Sequence, residues 1–309
     1  MKKLYIFSIC SLFIVALIID QYRGDESSDE YYKDTESVTT GQPQYSEHDS
    51  SSDETTEITE DSSVVADDNM HENVEDSNSS SVSLELPAPI SSKPEQILIR
   101  AGYTTSYNNM TKNANWVAWH LTRDHTDGPY SRGGTSYMVD YDVEGGRQEL
   151  SDWKDHDLPI DHGHLCPAGD CKWSKEAMRQ SFLLTNMCPQ NSDLNRGDWE
   201  ELESRCRGWA RHYGDIYIAA GPIFYNSDYE TIGSGEVGVP DAFFKVVLYY
   251  GKKPKALGFI YPNNGESHKI QHYVTTVDDV EEKTGIDFFH NLPDDIEARV
   301  ESVADINKW

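Results

Sequence analysis

The chain has 309 residues, and its 54 acidic side chains against 26 basic ones give a formal net charge of −28 at pH 7. This excess of negative charge excludes a protein that coats nucleic acid through a broadly basic surface. The composition is uneven along the chain, and it divides the sequence into three zones, residues 1–23, 24–92 and 93–309.

The first zone, residues 1–23, begins with Lys2 and Lys3 and continues as a mainly apolar run over residues 4–19 that ends at Asp20. The run is longer than the apolar core of an ordinary signal peptide and slightly shorter than a membrane span of roughly 20 residues. No small residues that would mark a cleavage site follow it. The pattern therefore predicts a signal anchor, with a cleaved signal peptide as the alternative. We expect an exported protein that is held in the cell membrane facing outward, or secreted after cleavage.

The second zone, residues 24–92, is rich in Ser, Asp, Glu and Thr, as in the run SSDETTEITEDSS. Such a segment buries too little apolar surface to offset the entropy lost on folding, and its negative charges repel one another. We predict a disordered acidic tether. It is either a spacer that separates a folded domain from a membrane or wall, or a low-complexity tail without a specific partner.

The third zone, residues 93–309, holds most of the tryptophan, glycine and periodic sequence, and it is long enough for one domain with a substantial core. Alternating or continuous apolar runs predict strands at residues 115–122, 136–143, 215–220, 243–250 and 255–262.

Helices are predicted at residues 174–184, 197–214 and 275–285, because these segments combine helical apolar spacing with capping residues at their ends. Strands outnumber helices, and many connections are short. The predicted fold class is therefore α+β, with a mainly antiparallel sheet and flanking helices.

Four cysteines lie in the folded zone, and none of them forms a C-x-x-C pair. An even number in an exported domain suggests disulfides, whose pairing the sequence does not determine. Buried free thiols and a structural zinc site are the alternatives for these residues, which are Cys166, Cys171, Cys188 and Cys206.

The run IDHGHLCPAGDCKWS at residues 160–174 joins an extended segment to a predicted helix, a place where side chains can converge on a substrate. His164 is a candidate general base, because a neutral imidazole accepts a proton near neutral pH. Asp161 and the backbone freedom of Gly163 are supports that such a base needs. The tetrapeptide alone is equally compatible with a packed histidine in a turn.

The run TNMCPQNSDLNRGDWEELE at residues 185–203 gathers amide and carboxylate side chains around the start of the second predicted helix. Oxygen donors of this kind suit a hard cation such as Mg²⁺, which keeps several waters and takes few protein ligands. Each asparagine alone is more often a cap or a turn residue. In combination with the histidine motif one helix earlier, the run favours a metal-dependent site.

Together with AAGPIF and VPDAFFKVVL, these two runs resemble the DNA/RNA non-specific endonucleases, whose active site is a ββα-metal finger. The resemblance extends from about residue 115 to residue 297. It implies DNA and RNA as substrates and one Mg²⁺ or Mn²⁺ ion as cofactor. It also implies a base, a metal ligand, a carboxylate that holds the metal's waters, a supporting asparagine and a phosphate-neutralising arginine, which correspond in that order to His164, Asn195, Glu203, Asn186 and Arg132.

One position departs from the family motif Asp-Arg-Gly-His, because its arginine is replaced by His162. An arginine is always charged and can bind a phosphate through two donors, whereas a histidine does so only when protonated and through one donor. We therefore expect weaker phosphate binding and a pH optimum shifted to lower pH. The base and the metal ligand are unaffected.

The spacing of Asn195 and Glu203 sets a geometric condition. Eight residues correspond to about 12 Å along an unbroken helix. The two side chains can serve one hydrated ion only if Asn195 lies on a bent entry to the helix or if waters bridge the gap. Glu200 is the alternative carboxylate.

The sequence thus predicts an exported metal-dependent endonuclease in which His164 removes a proton from water and the metal stabilises the phosphate and the leaving oxygen. Contacts to phosphates alone carry little sequence information, and the acidic domain predicts weak binding that falls steeply with added salt. The alternative is a surface binding module on the same fold, in which His162 marks the loss of the active site.

Overall fold

The computed structural model describes residues 83–154 and 156–309. The predicted signal anchor and residues 24–82 of the predicted tether lie outside these ranges. Within the described ranges, no helix is both long and apolar enough to cross a membrane.

The strands of the described residues form antiparallel sheets, and the largest sheet has seven strands. The strand bounds are β1 Gln96–Ile99, β2 Thr104–Asn108, β3 Asn113–Thr122, β4 Ile160–His164, β5 Met187–Asn191, β6 Asp215–Ile223, β7 Thr231–Ile232, β8 Val237–Gly238, β9 Ala242–Tyr249, β10 Lys255–Pro262 and β11 Val274–Thr275. The seven-stranded sheet has the order β1-β2-β3-β6-β9-β10-β11, while β4 pairs with β5 and β7 pairs with β8.

The three predicted helices are present, although the first ends at Gln180 and not at residue 184, and α2 and α5 were not predicted. Their bounds are α1 Lys175–Gln180, α2 Ser192–Arg196, α3 Asp198–Tyr213, α4 Val277–Thr284 and α5 Asp294–Glu301. The Ser174 side chain accepts a hydrogen bond from the amide of Ala177 at the start of α1. Thr276 caps α4, and Gly285 ends it in the left-handed conformation. The predicted α+β fold with a mainly antiparallel sheet is confirmed.

The central strands are buried on both faces because helices cover each face of the large sheet. Successive residues of a strand point to opposite faces, so in β9 Phe243 and Val247 join one core, whereas Phe244 and Val246 join the other. We call these the first and the second face. Helix α3 packs on the first face through Trp199 and other buried side chains, and α4 and α5 pack on the second.

The predicted strand at residues 136–143 is wrong, since the structure has only an isolated bridge there between Met138 and Leu183. The buried carboxylate of Asp140 accepts hydrogen bonds from Arg100 at 2.6 and 2.8 Å and from the Thr185 hydroxyl at 2.6 Å. These bonds to distant segments hold Asp140 inward, and its Oδ1 atom also accepts from the Asp142 amide at 3.3 Å, so the chain turns instead of forming an extended ladder. The apolar alternation reflects packing around a loop rather than a strand.

The folded domain begins earlier than the predicted boundary at residue 93. Leu84 is buried, and Leu86 and Ile90 pack against the core of the second face. The amide of Ala88 donates a hydrogen bond to the carbonyl of Asp287 at 2.9 Å. Residues 83–92 therefore belong to the domain and not to the tether.

Two glycines provide a matched test of the backbone argument. Gly208 lies exposed inside α3 and Gly285 ends α4 with φ 66°, and an added Cβ would meet no atom within 4 Å at either position. We expect Gly208→Ala to raise the free energy of unfolding by about 0.5–1 kcal/mol, because alanine favours a helix interior. Gly285→Ala should lower it by about 1 kcal/mol, because a side chain disfavours positive φ. Urea unfolding measures both, and changes of equal sign would contradict the assignment.

Candidate active site

Strands β4 and β5 and the helices that follow them form a ββα unit at the first face. In this antiparallel pair Gly163 lies opposite Cys188. A Cβ atom at Gly163 would lie 2.5 Å from the side chain of Gln190. Any larger residue at this position would collide with Gln190. Glycine therefore permits the close pairing of β4 with β5 and fixes the part of β4 that carries His162 and His164.

A cavity of about 630 Å³ lies beside this unit. It brings together seven of the residues that the sequence analysis names, and it adds side chains from other segments. The residues that line it are Ser131, Arg132, Tyr137, Asp161, His162, His164, Pro167, Ala168, Gly169, Lys172, Met178, Asn195, Arg196, Glu200, Glu203 and Arg207.

His164 is the last residue of β4, and its Nε2 atom is buried without a hydrogen-bond partner among the described residues. The ring packs edge-on against Phe182 with centroids 5.0 Å apart. The Trp199 indole donates a hydrogen bond from Nε1 to the His164 carbonyl at 3.3 Å. Burial, followed by the positive charge of Arg132, lowers the pKa of His164 to about 3. The imidazole is therefore neutral near pH 7.

His162 is stacked between two aromatic rings. Its centroid lies 4.1 Å from that of Tyr137 and 3.9 Å from that of Trp153. Burial lowers the pKa of His162 to about 4, so the ring carries no charge near neutral pH. Without a bound phosphate His162 therefore offers no charge near neutral pH, and the expected phosphate contact and acidic shift of the pH optimum stay predictions.

Asp161 supports α2 rather than the base. Its carboxylate accepts hydrogen bonds from Arg196 at 2.8 and 2.7 Å and from Asn195 Nδ2 at 3.0 Å. Burial opposes ionisation, but these hydrogen bonds outweigh it and hold the pKa of Asp161 below its usual value. The predicted contact between Asp161 and His164 is thus replaced by one that orients Asn195 and leaves its Oδ1 atom available.

The condition set by the spacing of Asn195 and Glu203 is met by a break in the helix. Asn195 lies in the short helix α2, and Glu203 lies in the second turn of α3. Gly197 separates them with φ −115° and ψ −106°, which ends the first helix before the second begins. Both side chains line the same cavity. Burial raises the pKa of Glu203 to about 7, and the positive charge of Lys245 opposes this rise.

Asn186 lies behind the cavity and not in its lining. The fully buried side chain accepts a hydrogen bond from the Cys166 amide at 2.9 Å. It donates to the carbonyls of Cys166 and Ser181, each at 2.8 Å. Asn186 is thus placed as a support, because its polar atoms fix the backbone that follows His164.

Arg207 is a site residue that the sequence analysis missed. It lies one helical turn after Glu203 on α3, so the i, i+4 spacing from a candidate carboxylate was the available signal. Its Nη1 donates to Asp170 Oδ1 at 3.0 Å, and the Asp170 side chain is 1% exposed. Arg207 thus brings a guanidinium paired with Asp170 to the lining, and Arg132 brings a second one from another segment of the chain.

Lys245 lies on β9 beneath α3 and is fully buried, and its Nζ has no hydrogen-bond partner among the described side chains and backbone. The Nζ atom lies 4.3 Å from the ring centroid of Trp199 and 5.5 Å from that of Trp119. Indole faces stabilise a desolvated cation. The positive charge of Lys245 also lowers the pKa of Glu203 and of Asp170, against the effect of burial.

The four cysteines of the domain are free and buried, so the disulfides suggested by their even number are not formed in the structure. The Sγ atoms of Cys166 and Cys171 are 3.9 Å apart, and burial raises the pKa of the Cys166 thiol. Residues 83–154 and 156–309 contain one group of three or more acidic, histidine or cysteine side chains close enough to share an ion, and it includes no cysteine. This geometry favours the predicted alternative of buried thiols for Cys166, Cys171, Cys188 and Cys206.

The donor set of the cavity fits a hard divalent cation. Asn195 uses its Nδ2 atom for Asp161, which leaves the amide oxygen as a donor, and the carboxylate of Glu203 lines the same space. Amide and carboxylate oxygens are ligands that suit Mg²⁺ and Mn²⁺. Asn195 would therefore hold the ion, and Glu203 would hold its waters.

The description "DNA/RNA non-specific endonuclease" belongs to a family model that matches residues 83–295. The chain belongs to this family. The resemblance drawn from the sequence motifs is confirmed, and so is the expectation of an enzyme of the nuclease class. The match also begins at residue 83, where the described domain begins.

Relatives of known name agree with the family. The mitochondrial nuclease EXOG of Xenopus laevis is 31% identical over 214 residues, which are 62% of this chain and 58% of that protein. Nuclease C1 of Cunninghamella echinulata var. echinulata is 34% identical over 212 residues, which are 63% of this chain and 83% of that protein. The chain thus spans less than two thirds of the Xenopus protein.

A solved structure of EndoG in complex with EndoGI resembles the described fold with a TM-score of 0.60 at 25% identity. The similarity covers 64% of this chain and 87% of that one. It supports the antiparallel sheet with flanking helices as the family architecture.

Lys245→Met tests whether the buried cation acts on the cavity. Without the positive charge, the pKa of Glu203 rises, so the carboxylate ionises only at higher pH. We expect the acid limb of the kcat profile for plasmid cleavage to move up by roughly one pH unit.

Lys255→Met is the matched control, because Lys255 also contacts aromatic rings, with Nζ 4.4 Å from the centroid of Tyr213 and 4.8 Å from that of Trp309. It does not line the cavity. An unchanged pH profile of kcat for Lys245→Met, or an equal shift for both variants, would contradict the effect of Lys245 on the pKa of Glu203.

Proposed function

We propose that the folded domain is a metal-dependent endonuclease that hydrolyses phosphodiester bonds of DNA and RNA with little sequence preference. The observation that carries the proposal is that the unpartnered Nε2 of His164 belongs to a cavity shared with Asn195, Glu203, Arg132 and Arg207. A base, a set of oxygen donors and two fixed cations are what in-line attack of water on a phosphate requires.

His164 is the residue that accepts a proton from the attacking water. Its lowered pKa keeps the imidazole neutral at pH 5–9, which is the state that can accept a proton. A phosphate that enters the cavity brings negative charge and opposes the effect of Arg132, so substrate binding raises the basicity of His164. The hydrogen bond from Trp199 and those of Asn186 fix the backbone at His164 and just after it.

Positive charge at the phosphate comes from arginines and not from His162. Arg132 and Arg207 line the cavity from two sides, and neither loses its charge at any physiological pH. They neutralise the charge that develops on the phosphate oxygens. His162, neutral and stacked between Tyr137 and Trp153, forms part of the wall that shapes the cavity.

The cofactor of this proposal is Mg²⁺, with Mn²⁺ as an ion of the same donor preference. When bound, it supplies Lewis-acid stabilisation to the phosphate and to the leaving 3′ oxygen. Asn195 would hold it through Oδ1, because Asp161 fixes that amide by accepting a hydrogen bond from Nδ2. Glu203, whose pKa is about 7 beside Lys245, would accept hydrogen bonds from the ion's waters when ionised.

Cleavage of supercoiled plasmid and of single-stranded RNA by the full-length protein tests the proposal. With Mg²⁺ we expect degradation of both substrates, and with EDTA none. His164→Ala should lower the rate by about 10² to 10⁴-fold, the usual contribution of a general base.

His212→Ala is the matched control, because His212 is an exposed histidine at the far end of α3. It should cleave at the wild-type rate. If the wild-type protein cleaves neither substrate from pH 5 to 9 with Mg²⁺ or Mn²⁺, the binding-module alternative replaces the enzyme.

Export through the first zone is part of the proposal. The two lysines followed by the apolar run at residues 4–19 support it, as does the acidic composition of the next zone. Deletion of residues 4–19 should move the protein from the membrane or outer fraction to the cytoplasmic fraction, and a tagged protein in separated cell fractions shows this directly. Equal distributions with and without the run would reject export through this segment.

A further inference from the structure

Three carboxylates from the last two helices converge on the second face, away from the cavity. Asp278 and Glu281 lie one turn apart on α4, and Glu301 is the last residue of α5. One oxygen of each carboxylate lies within 4.8 Å of the corresponding oxygens of the other two. Asp278 is exposed, Glu281 is half-buried and Glu301 is buried. The group therefore extends from the core to solvent.

Glu301 is the member that calls for a partner. The residue is 5% exposed, and its Oε1 atom is buried with no hydrogen-bond partner in the described part of the chain. A buried acceptor without a donor is costly, and a carboxylate more so. The same carboxylate has an oxygen within 4.8 Å of carboxylate oxygens of Asp278 and Glu281.

The electrostatic surroundings of Glu301 also favour a cation. Burial, followed by the negative charges of Glu281, Glu297, Asp278 and Asp287, raises the pKa of Glu301 to about 9. Burial likewise raises the pKa of Glu281 to about 7, although its carboxylate accepts a hydrogen bond from the Phe288 amide at 2.7 Å. The end of α5 adds the negative pole of the helix dipole.

We propose that Asp278, Glu281 and Glu301 bind a divalent cation of the calcium class, at a site separate from the active site. Three carboxylates offer oxygen donors that bind singly or in pairs, and Ca²⁺ accepts six to eight oxygens in flexible geometry. Mg²⁺ requires a near-ideal octahedron of shorter bonds, and zinc prefers nitrogen and sulfur. Water reaches the ion past the exposed Asp278 and completes its coordination.

The bound ion joins α4 to α5. These helices cover the second face with Val277, Val280 and Val300, and α5 reaches α4 near its end through Glu301. An ion that neutralises the three carboxylates stabilises this arrangement, because it binds the folded state and not the unfolded chain. Calcium at about a hundred times its dissociation constant should raise the midpoint of thermal unfolding by roughly 5 °C.

Calcium titration of the full chain, freed of metal with EDTA and dialysed, tests the proposal. Calorimetry counts the sites, and thermal unfolding reports the stabilisation. We expect Glu301→Gln to bind one Ca²⁺ fewer than wild type and to lose most of the calcium-induced shift. Without metal, Glu301→Gln should unfold at or above the wild-type midpoint, because an amide replaces a buried carboxylate.

Glu297→Gln is the matched control, since Glu297 lies one turn earlier on α5 and outside the group of three. Glu297→Gln should bind as many calcium ions as wild type and keep the calcium-induced shift of the unfolding midpoint. Calcium that binds to the active site or to the acidic tether, residues 24–82, is common to all variants and cancels in the comparison. Cleavage with Mg²⁺ should be unchanged in Glu301→Gln, which separates this site from the proposed function.

Asp278→Asn removes an exposed ligand and keeps the inference testable if Glu301→Gln does not fold. Loss of the calcium shift in Asp278→Asn supports the site. If Glu301→Gln and Asp278→Asn both bind as many calcium ions as wild type and show the same calcium-induced shift of the unfolding midpoint, the three carboxylates bind protons and no metal ion. The inference is then overturned.

Discussion

The docking of Trp199 against the large sheet is the contact on which the candidate site depends. Its ring packs with Phe243 and Tyr261 at centroid distances of 5.7 and 5.8 Å, and the side chain is fully buried. The same indole donates to the carbonyl of His164, so one residue joins helix α3, the large sheet and strand β4. Glu203 follows one turn later on α3, and its position relative to the base is fixed by this contact.

Charge in the domain is distributed by depth. At the cavity wall, Arg132 and Arg207 present cations to a ligand. Beneath them, Asp170 accepts hydrogen bonds from Arg207 and from the Trp119 indole, and Lys245 lies between the indole faces. Buried ions are stable only with compensating charges and donors. The cavity lining therefore combines four basic side chains with three acidic ones, inside a chain whose net charge is strongly negative.

The sequence predicts the fold better than it predicts the contacts of the site. Strand alternation and caps such as Thr276 are local signals, and they gave the antiparallel sheet and three helices. The pairing of Asp140 with distant residues, which removes the strand at residues 136–143, is a tertiary contact that alternation does not report. Asp161 contacts α2 and not the base for the same reason. A lysine in a strand is expected to be exposed, and no sequence pattern predicts that Lys245 is buried between two indole rings.

Residues 83–92 pack against the second face, whereas the cavity lies beside α3 on the first. None of the residues 83–92 lines the cavity. This segment belongs to the core of the second face, and the seven-stranded sheet separates that core from α3. A substitution among residues 83–92 can therefore act on the candidate site only through the sheet.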